Sequence, residues 1–466
     1  MNTSNTQYKI NHRLIDVFKS GKIFNQTIGF FLHDDDFSSP GLFFEIVITI
    51  TQKYDKSTFS DIDRNDKILL PENPNLILYL QGGPGFGCSI PTEYSGMTKI
   101  LLDEGYQIVW MDQRGTGLSE AFEYSTFENY EISSIGEQFN HLLKYRADYI
   151  VQDAERIRQY LIGDNKWTLL GQSFGGFCCF SYLSKFSNSI KQVLVTGGIP
   201  PIGFSVDEVY TQTYKRTKER NLHYYEKYPI DVKRVVEICS YLKENKVLTP
   251  NGGNLTVERF QQLGLNFGGF GGTDKIHSIV TKFYLEVKQK AKPSYATLSL
   301  IQESLSFDTN VLYALLQEAI YCENGMSSQW SADRLRYAKG NEKFIYNKEQ
   351  IFFTGEMVYK SMFDDYSELR KFKELAYELH EYKNWTNLYD IKKLKSITFG
   401  EIPIVAATYY SDQYVDFSLT QQVKEKYIAP GNLRQFITNE LFHGGLRTDP
   451  DKVLGSLFKL LDGDID

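Results

Sequence analysis

The chain has 466 residues, 42% of them hydrophobic and 23% charged, with a formal net charge of −7. That balance excludes a disordered chain and supplies enough apolar material for a buried sheet. The acidic sign, spread without long like-charged blocks, also excludes a nucleic-acid partner, whose affinity would rest on basic residues neutralising phosphates.

The N-terminal MNTSNTQYKINHRL lacks the apolar stretch of a signal peptide, and no later run approaches the ~20 apolar residues that span a bilayer. No membrane partner is expected, and a cytoplasmic location follows. The five cysteines (Cys88, Cys178, Cys179, Cys239, Cys322) form no metal-ligand spacing and suit free thiols in a reducing compartment. No metal and no cofactor are expected. Residues 42–54, LFFEIVITITQKY, read as antiparallel strands at one edge of a sheet. Short apolar runs at 76–80, 107–111, 167–170, 192–196 and 403–407 then read as core strands, because they are rich in β-branched and aromatic residues and end in turn signals. Ile150, Ala154, Ile157 and Leu161 recur at helical spacing between two of them, so the sheet is expected to be mostly parallel with helical crossovers.

Roughly two hundred residues separate the strand ending near Thr196 from the one starting at Pro403, far more than one crossover needs. A helical cap is expected there, with helices over 310–321 and 366–382 and a glycine-rich break at 267–272. The expected organisation is a core over 1–200, a cap over 201–395 and the rest of the core over 396–466. The 32 Phe and 32 Tyr exceed what a core needs and suggest an aromatic-lined pocket beneath the cap.

The sharpest chemical signal is WTLLGQSFGGF, where Ser173 stands between Gly171 and Gly175 after a strand and before a helix-compatible run. A serine at so tight a turn presents its hydroxyl at the end of the sheet, and side chains at the flanking glycines would collide. Ser173 is therefore the expected nucleophile of an α/β-hydrolase fold. The run LYLQGGPGFG puts bare backbone directly after another strand, so the amides of Gly83 and Phe174 are expected to form the oxyanion hole. The base must follow the nucleophile and an acid in chain order. Of seven histidines, only His443 lies beyond all the core strands. For the acid, Asp412 and Asp416 both follow the strand at 403–407. Asp412 is nearer its end, whereas Asp416 reads better as the cap of the helix beginning at Phe417.

With GGPG, VWMDQRGTGLS, GQSFGG and the late Asp and His in place, the chain resembles the proline iminopeptidases, or prolyl aminopeptidases, over residues 26–460. The longer members are similar in the cap as well, through GGIPP, QEAIY, FTGEM and FHGGLR. The resemblance implies release of proline from peptides with a free N-terminal proline, by a Ser-His-Asp mechanism through an acyl-enzyme. It also implies that cap glutamates, here Glu318 and Glu356, hold the free amine. Aromatic neighbours such as Tyr321 or Phe353 are expected to pack the proline ring. Two positions depart from the family pattern: Gln81 stands where a His usually precedes GGPG, and Gln317 where a His often precedes the cap glutamate. Asp112, Gln113 and Arg114 read as structural, with Arg114 in an ion pair.

Other readings are weaker. DIDRNDK has Asp66 where a calcium loop needs glycine, and the GGFGG at 267–272 follows no strand of a nucleotide-binding unit. An esterase on the same scaffold, or a catalytically silent binding protein, remains the alternative, since the catalytic residues alone do not distinguish them.

Overall fold

The computed structural model describes residues 10–33, 43–54 and 67–464. Asp61 to Asp66, most of the calcium-like DIDRNDK, lie outside them. Nine strands form one sheet: β1 (Asn11–Ser20), β2 (Ile23–His33), β3 (Phe43–Lys53), β4 (Leu76–Leu80), β5 (Gln107–Met111), β6 (Trp167–Gln172), β7 (Ile190–Thr196), β8 (Ile404–Tyr409) and β9 (Leu433–Thr438). Their order is β1-β2-β3-β5-β4-β6-β7-β8-β9. The pairs from β1 to β3, and β3 with β5, are antiparallel, and all others are parallel.

The central strands are buried along their whole length because helices cover both faces. Alternation does the sorting. Leu76, Leu78 and Leu80 join the core under the helices Ala147–Ile162 and Phe174–Phe186, while Ile77 and Tyr79 join the core under Gly96–Asp103 and Pro450–Asp462. β1 and β2 escaped the pattern reading. β2 buries Asn25 and Gln26, whose side chains bond backbone at Pro91 and Leu69 across the edge, so a hydrophobic alternation was never written there.

The chain between β7 and β8 is helical, running from Val206–Lys227 to Ile391–Ser396. Expected helices in it are shorter than the periodicity suggested. The stretch 310–321 is the helix Val311–Leu316 followed by a tight turn of 3-10 helix at Ala319–Tyr321, and 366–382 holds its α-helix only over Lys373–Glu381. Polar contacts tie this layer to the sheet: Arg146 donates to Cys322 O at 3.1 Å and lies over Trp385, and Arg216 donates to Asp416 at 2.8 Å.

In the turn after β5, Asp112 accepts the amides of Cys88 and Leu118, Gln113 donates to Gln81 O, and Arg114 holds the buried Asp153 with two hydrogen bonds. All three side chains brace loops around the sheet's C-terminal end. Among the described residues, no helix is long and apolar enough to cross a membrane.

Candidate active site

Ser173 sits between β6 and the helix Phe174–Phe186 with φ +55°, a conformation that side chains rarely adopt. Two close approaches enforce the turn. A Cβ on Gly175 would lie 1.8 Å from Leu80 O, and one on Gly171 would lie 2.5 Å from Gly175 O. The serine amide is tied to Thr196 O at 3.0 Å, so the elbow is locked to β7. Phe174 opens the helix, where its own N–H has no partner one turn back. Gly82 and Gly83 follow β4 and line the same cavity as Ser173.

That cavity measures about 320 Å³ and is bounded by Ser173, His443, Gly83, Glu356, Tyr313 and Tyr414, among others. His443 comes from the loop after β9, and its Nδ1 lies 2.7 Å from Asp412 Oδ2. Asp412 is 2% exposed, and its other oxygen accepts the amides of Tyr414 and Val415. Burial works against a charged His443, yet the Asp412 carboxylate outweighs it and raises the imidazole above its ordinary 6.5. With Nδ1 committed to Asp412, Nε2 is the nitrogen left for chemistry. The glycines of GGIPP make room for this meeting. A Cβ on Gly197 would sit 3.1 Å from His443 Nδ1, and one on Gly198 would sit 2.3 Å from Ser173 O. Asp416, the other acid considered, caps the helix Phe417–Tyr427 through Leu419 N and pairs with Arg216.

The two cap glutamates are separated rather than paired. Glu356, on the irregular segment at 353–357, lines the cavity and accepts the Tyr313 hydroxyl at 2.6 Å. Burial lifts its carboxyl to about 6, against the pull of Tyr313, His443 and Gln317. Glu318 is 1% exposed and does not line the cavity. Its two oxygens accept the amides of Ser331 and Ala332 at 3.0 and 2.9 Å, and His380 lies 3.0 Å away. Its carboxylate caps a buried turn, so the pair of carboxylates expected to face one pocket is not assembled. Tyr210 and Tyr321 lie within electrostatic reach of both acids.

The aromatic wall also differs from expectation. Phe353 packs into the cap core against Tyr224, Phe260 and Phe267, and Tyr321 packs against Phe177 beside a smaller recess. The rings that line the main cavity are Phe86, Tyr313 and Tyr414. Tyr414 stands edge-on to His443 at 4.6 Å and donates to Leu265 O. A Cβ on Gly268 would lie 2.2 Å from the Tyr414 ring, so the glycine-rich run at 267–272 forms a wall of the site. Tyr313 is reached through the oxyanion loop, since a Cβ on Gly85 would meet Leu312 and Tyr313 N at 2.9 Å. Gln81 lines the cavity with its Oε1 bonded to Tyr79 Oη at 2.8 Å.

Residues 75–241 match the sequence family described as the alpha/beta hydrolase fold. The proline iminopeptidase of Aeromonas sobria is 36% identical over 420 residues, covering 90% of this chain and 95% of that one. The proline iminopeptidase aneH of Aspergillus aculeatus is 38% identical over 408 residues, covering 86% of this chain and 88% of that one. A solved proline iminopeptidase from Mycobacterium smegmatis aligns over 93% of this chain and 98% of its own at 11% identity, with a TM-score of 0.41. The chain has the α/β-hydrolase fold and belongs to the proline iminopeptidase family.

Proposed function

We propose that this chain is a serine aminopeptidase that releases proline from peptides with a free N-terminal proline. The observation that carries the reading is one cavity holding a serine on a φ +55° elbow, an imidazole hydrogen-bonded to a buried carboxylate, and a further, half-buried carboxylate bonded by a tyrosine.

In this reading the prolyl ammonium sits against Glu356, and the ring packs on the aromatic wall. An ammonium needs an ionised acceptor, and a blocked amine leaves that carboxylate desolvated and unpaired, which is how an exopeptidase rejects internal sites. Ser173 Oγ attacks the prolyl carbonyl carbon while His443 Nε2 takes its proton. The oxyanion is held by the amides of Phe174 and Gly83, each worth about 3 kcal/mol in the transition state. As the C–N bond breaks, His443 returns the proton to the leaving amine. Water then repeats the sequence on the prolyl ester of Ser173 and frees proline. Asp412 holds Nδ1–H and stabilises the imidazolium throughout. Glu318 serves the fold, by anchoring the first turn of the helix Ser331–Arg336 through the amides of Ser331 and Ala332. The five unpaired thiols support a cytoplasmic location.

The test is hydrolysis of proline arylamide by the wild type and by Ser173→Ala, with a simple acyl ester alongside. The reading expects arylamide turnover that depends on Ser173 and exceeds ester turnover in kcat/KM. Ester turnover without arylamide turnover would make the chain an esterase. A folded wild type that a serine-directed phosphonate does not label would make it a binding protein.

A further inference from the structure

The cavity carries a second charge that the aminopeptidase reading does not use. Arg447 lines it together with Ser173, His443 and Gln81, and the side chain is exposed at the rim. Other arginines bordering the core have carboxylate partners: Arg114 with Asp153, Arg158 with Glu155, Arg216 with Asp416 and Arg259 with Asp308. No ion pair among the described residues takes the guanidinium of Arg447. What it has instead is an orienting neighbour, because it lies beside the buried Tyr79, whose hydroxyl bonds Gln81 at the start of the oxyanion loop.

Its position decides which part of a substrate it meets. Arg447 stands on the short helix Gly445–Thr448, one turn past His443, with its amide bonded to Gly444 O at 2.9 Å. His443 must hand its proton to the departing amine, so the residue released lies on the side of the cavity where His443 and Arg447 stand. Glu356 enters the cavity from the cap segment at 353–357, and in the aminopeptidase reading it takes the N-terminal ammonium. The two ends therefore differ in sign, with a carboxylate toward the N-terminal ammonium and a guanidinium toward the leaving residue. A dipeptide carries the matching pair of charges, its α-carboxylate only one carbon beyond the leaving nitrogen. The size agrees, since about 320 Å³ is near the lower end of the roughly 300–1,000 Å³ typical of ligand cavities.

Resting on the aminopeptidase reading, we propose that Arg447 is a carboxylate site for the leaving residue, which makes dipeptides with N-terminal proline and a free C-terminal carboxylate the preferred substrates. A planar guanidinium suits this role because it takes a carboxylate through two parallel N–H bonds. Arg447 acts on binding and orientation, and the bond-breaking steps remain those of the serine, histidine and acid.

The experiment compares kcat/KM for Pro-Gly, Pro-Gly-NH2 and Pro-Asp-NH2 in the wild type, Arg447→Met and Arg447→Lys, with proline arylamide as a reference. The wild type should favour Pro-Gly over its amide by about tenfold, mostly in KM, and less so at high salt. Arg447→Met should bring that ratio close to one, and Arg447→Lys should restore part of it. A purely structural arginine would lower both substrates alike and leave the ratio unaltered, which overturns the proposal. An Arg447-dependent gain for Pro-Asp-NH2 in place of Pro-Gly overturns it too, by assigning the cation to an acidic side chain. If Arg447→Met fails to fold, the wild-type ratio still decides: no preference for the acid ends the idea. Proline arylamide keeps the two levels apart, because its cleavage without any acid preference sinks the carboxylate site alone, whereas its survival intact sinks the aminopeptidase reading beneath it.

Discussion

Replacing Glu356 by Gln separates what the carboxylate does for the substrate from what it does to the fold. The amide keeps the shape and can still accept the Tyr313 hydroxyl, so the lesion is the charge. Burial lifts this carboxyl from its ordinary 4.5 to about 6. The folded chain thus binds that proton more tightly than the unfolded chain does. The stability this contributes is fully present below pH 4.5 and is lost as the pH rises through about 6. At about 1.4 kcal/mol per pH unit, ionised Glu356 costs the fold roughly 2 kcal/mol near neutral pH.

Glu356→Gln should therefore be more stable than the wild type by about 1–2 kcal/mol at pH 7.5, with the difference vanishing below pH 4.5. Against this gain stands the lost hydrogen bond between an ammonium and a charged acceptor, about 1.5–3 kcal/mol, or about 10- to 150-fold in kcat/KM for proline arylamide. A simple acyl ester, which brings no ammonium, should change by less than about threefold. Urea unfolding at two pH values and initial rates on both substrates measure all of this. Equal losses on arylamide and ester, or a variant less stable than the wild type at pH 7.5, would refute the reasoning.

Ser173→Gly removes the nucleophile together with a side chain held at φ +55°, so turnover should vanish while urea unfolding reports a gain of about 1 kcal/mol. Asp412→Asn should lower kcat about 10³- to 10⁴-fold in steady-state assays, because His443 loses the partner that sets its tautomer. The same carboxylate raises His443 above 6.5, so the acid limb of the wild-type pH profile on an ester substrate should lie above that value and move down in Asp412→Asn. Glu318→Gln should lower stability by about 1–3 kcal/mol, since an amide cannot match a carboxylate that accepts two buried amides. The ratio of arylamide to ester turnover should stay as in the wild type, and a selective loss of arylamide turnover would return Glu318 to the substrate.

The parallel strands were legible because both of their faces are covered, which concentrates apolar residues into short runs such as Leu76–Leu80 and Trp167–Gln172. The antiparallel edge was legible only in part. Polar residues do structural work there: Gln26 in β2 bonds Leu69 with both ends of its amide, a pairing between distant segments that local patterning does not encode. Cap helices were overextended for a related reason. Residues 311–316 are apolar on all sides and Ala319 and Ile320 continue the pattern, so hydrophobic spacing runs on past Leu316, whereas the chain must turn to put Glu318 under Ser331.

The elbow could be read because its glycines answer to backbone a few residues away or on an adjacent strand. The rest of the cavity answers to contacts between layers. Tyr313 reaches the site because Gly85 of the oxyanion loop admits the backbone of a cap helix, and Tyr414 reaches it because Gly268 leaves a space the size of its ring. In sequence Gly85 belongs to the oxyanion run and Gly268 to a glycine-rich break, with nothing in either to name the ring it admits, and those tyrosines look like two of the 32 in the chain. The two glutamates make the same point through charge. Both stand in motifs of equal apparent weight, yet one is bound by buried backbone amides and the other by a tyrosine at the cavity wall. A motif records that a carboxylate is needed, while only the packed cap decides whether its oxygens are spent on the fold or left for a substrate.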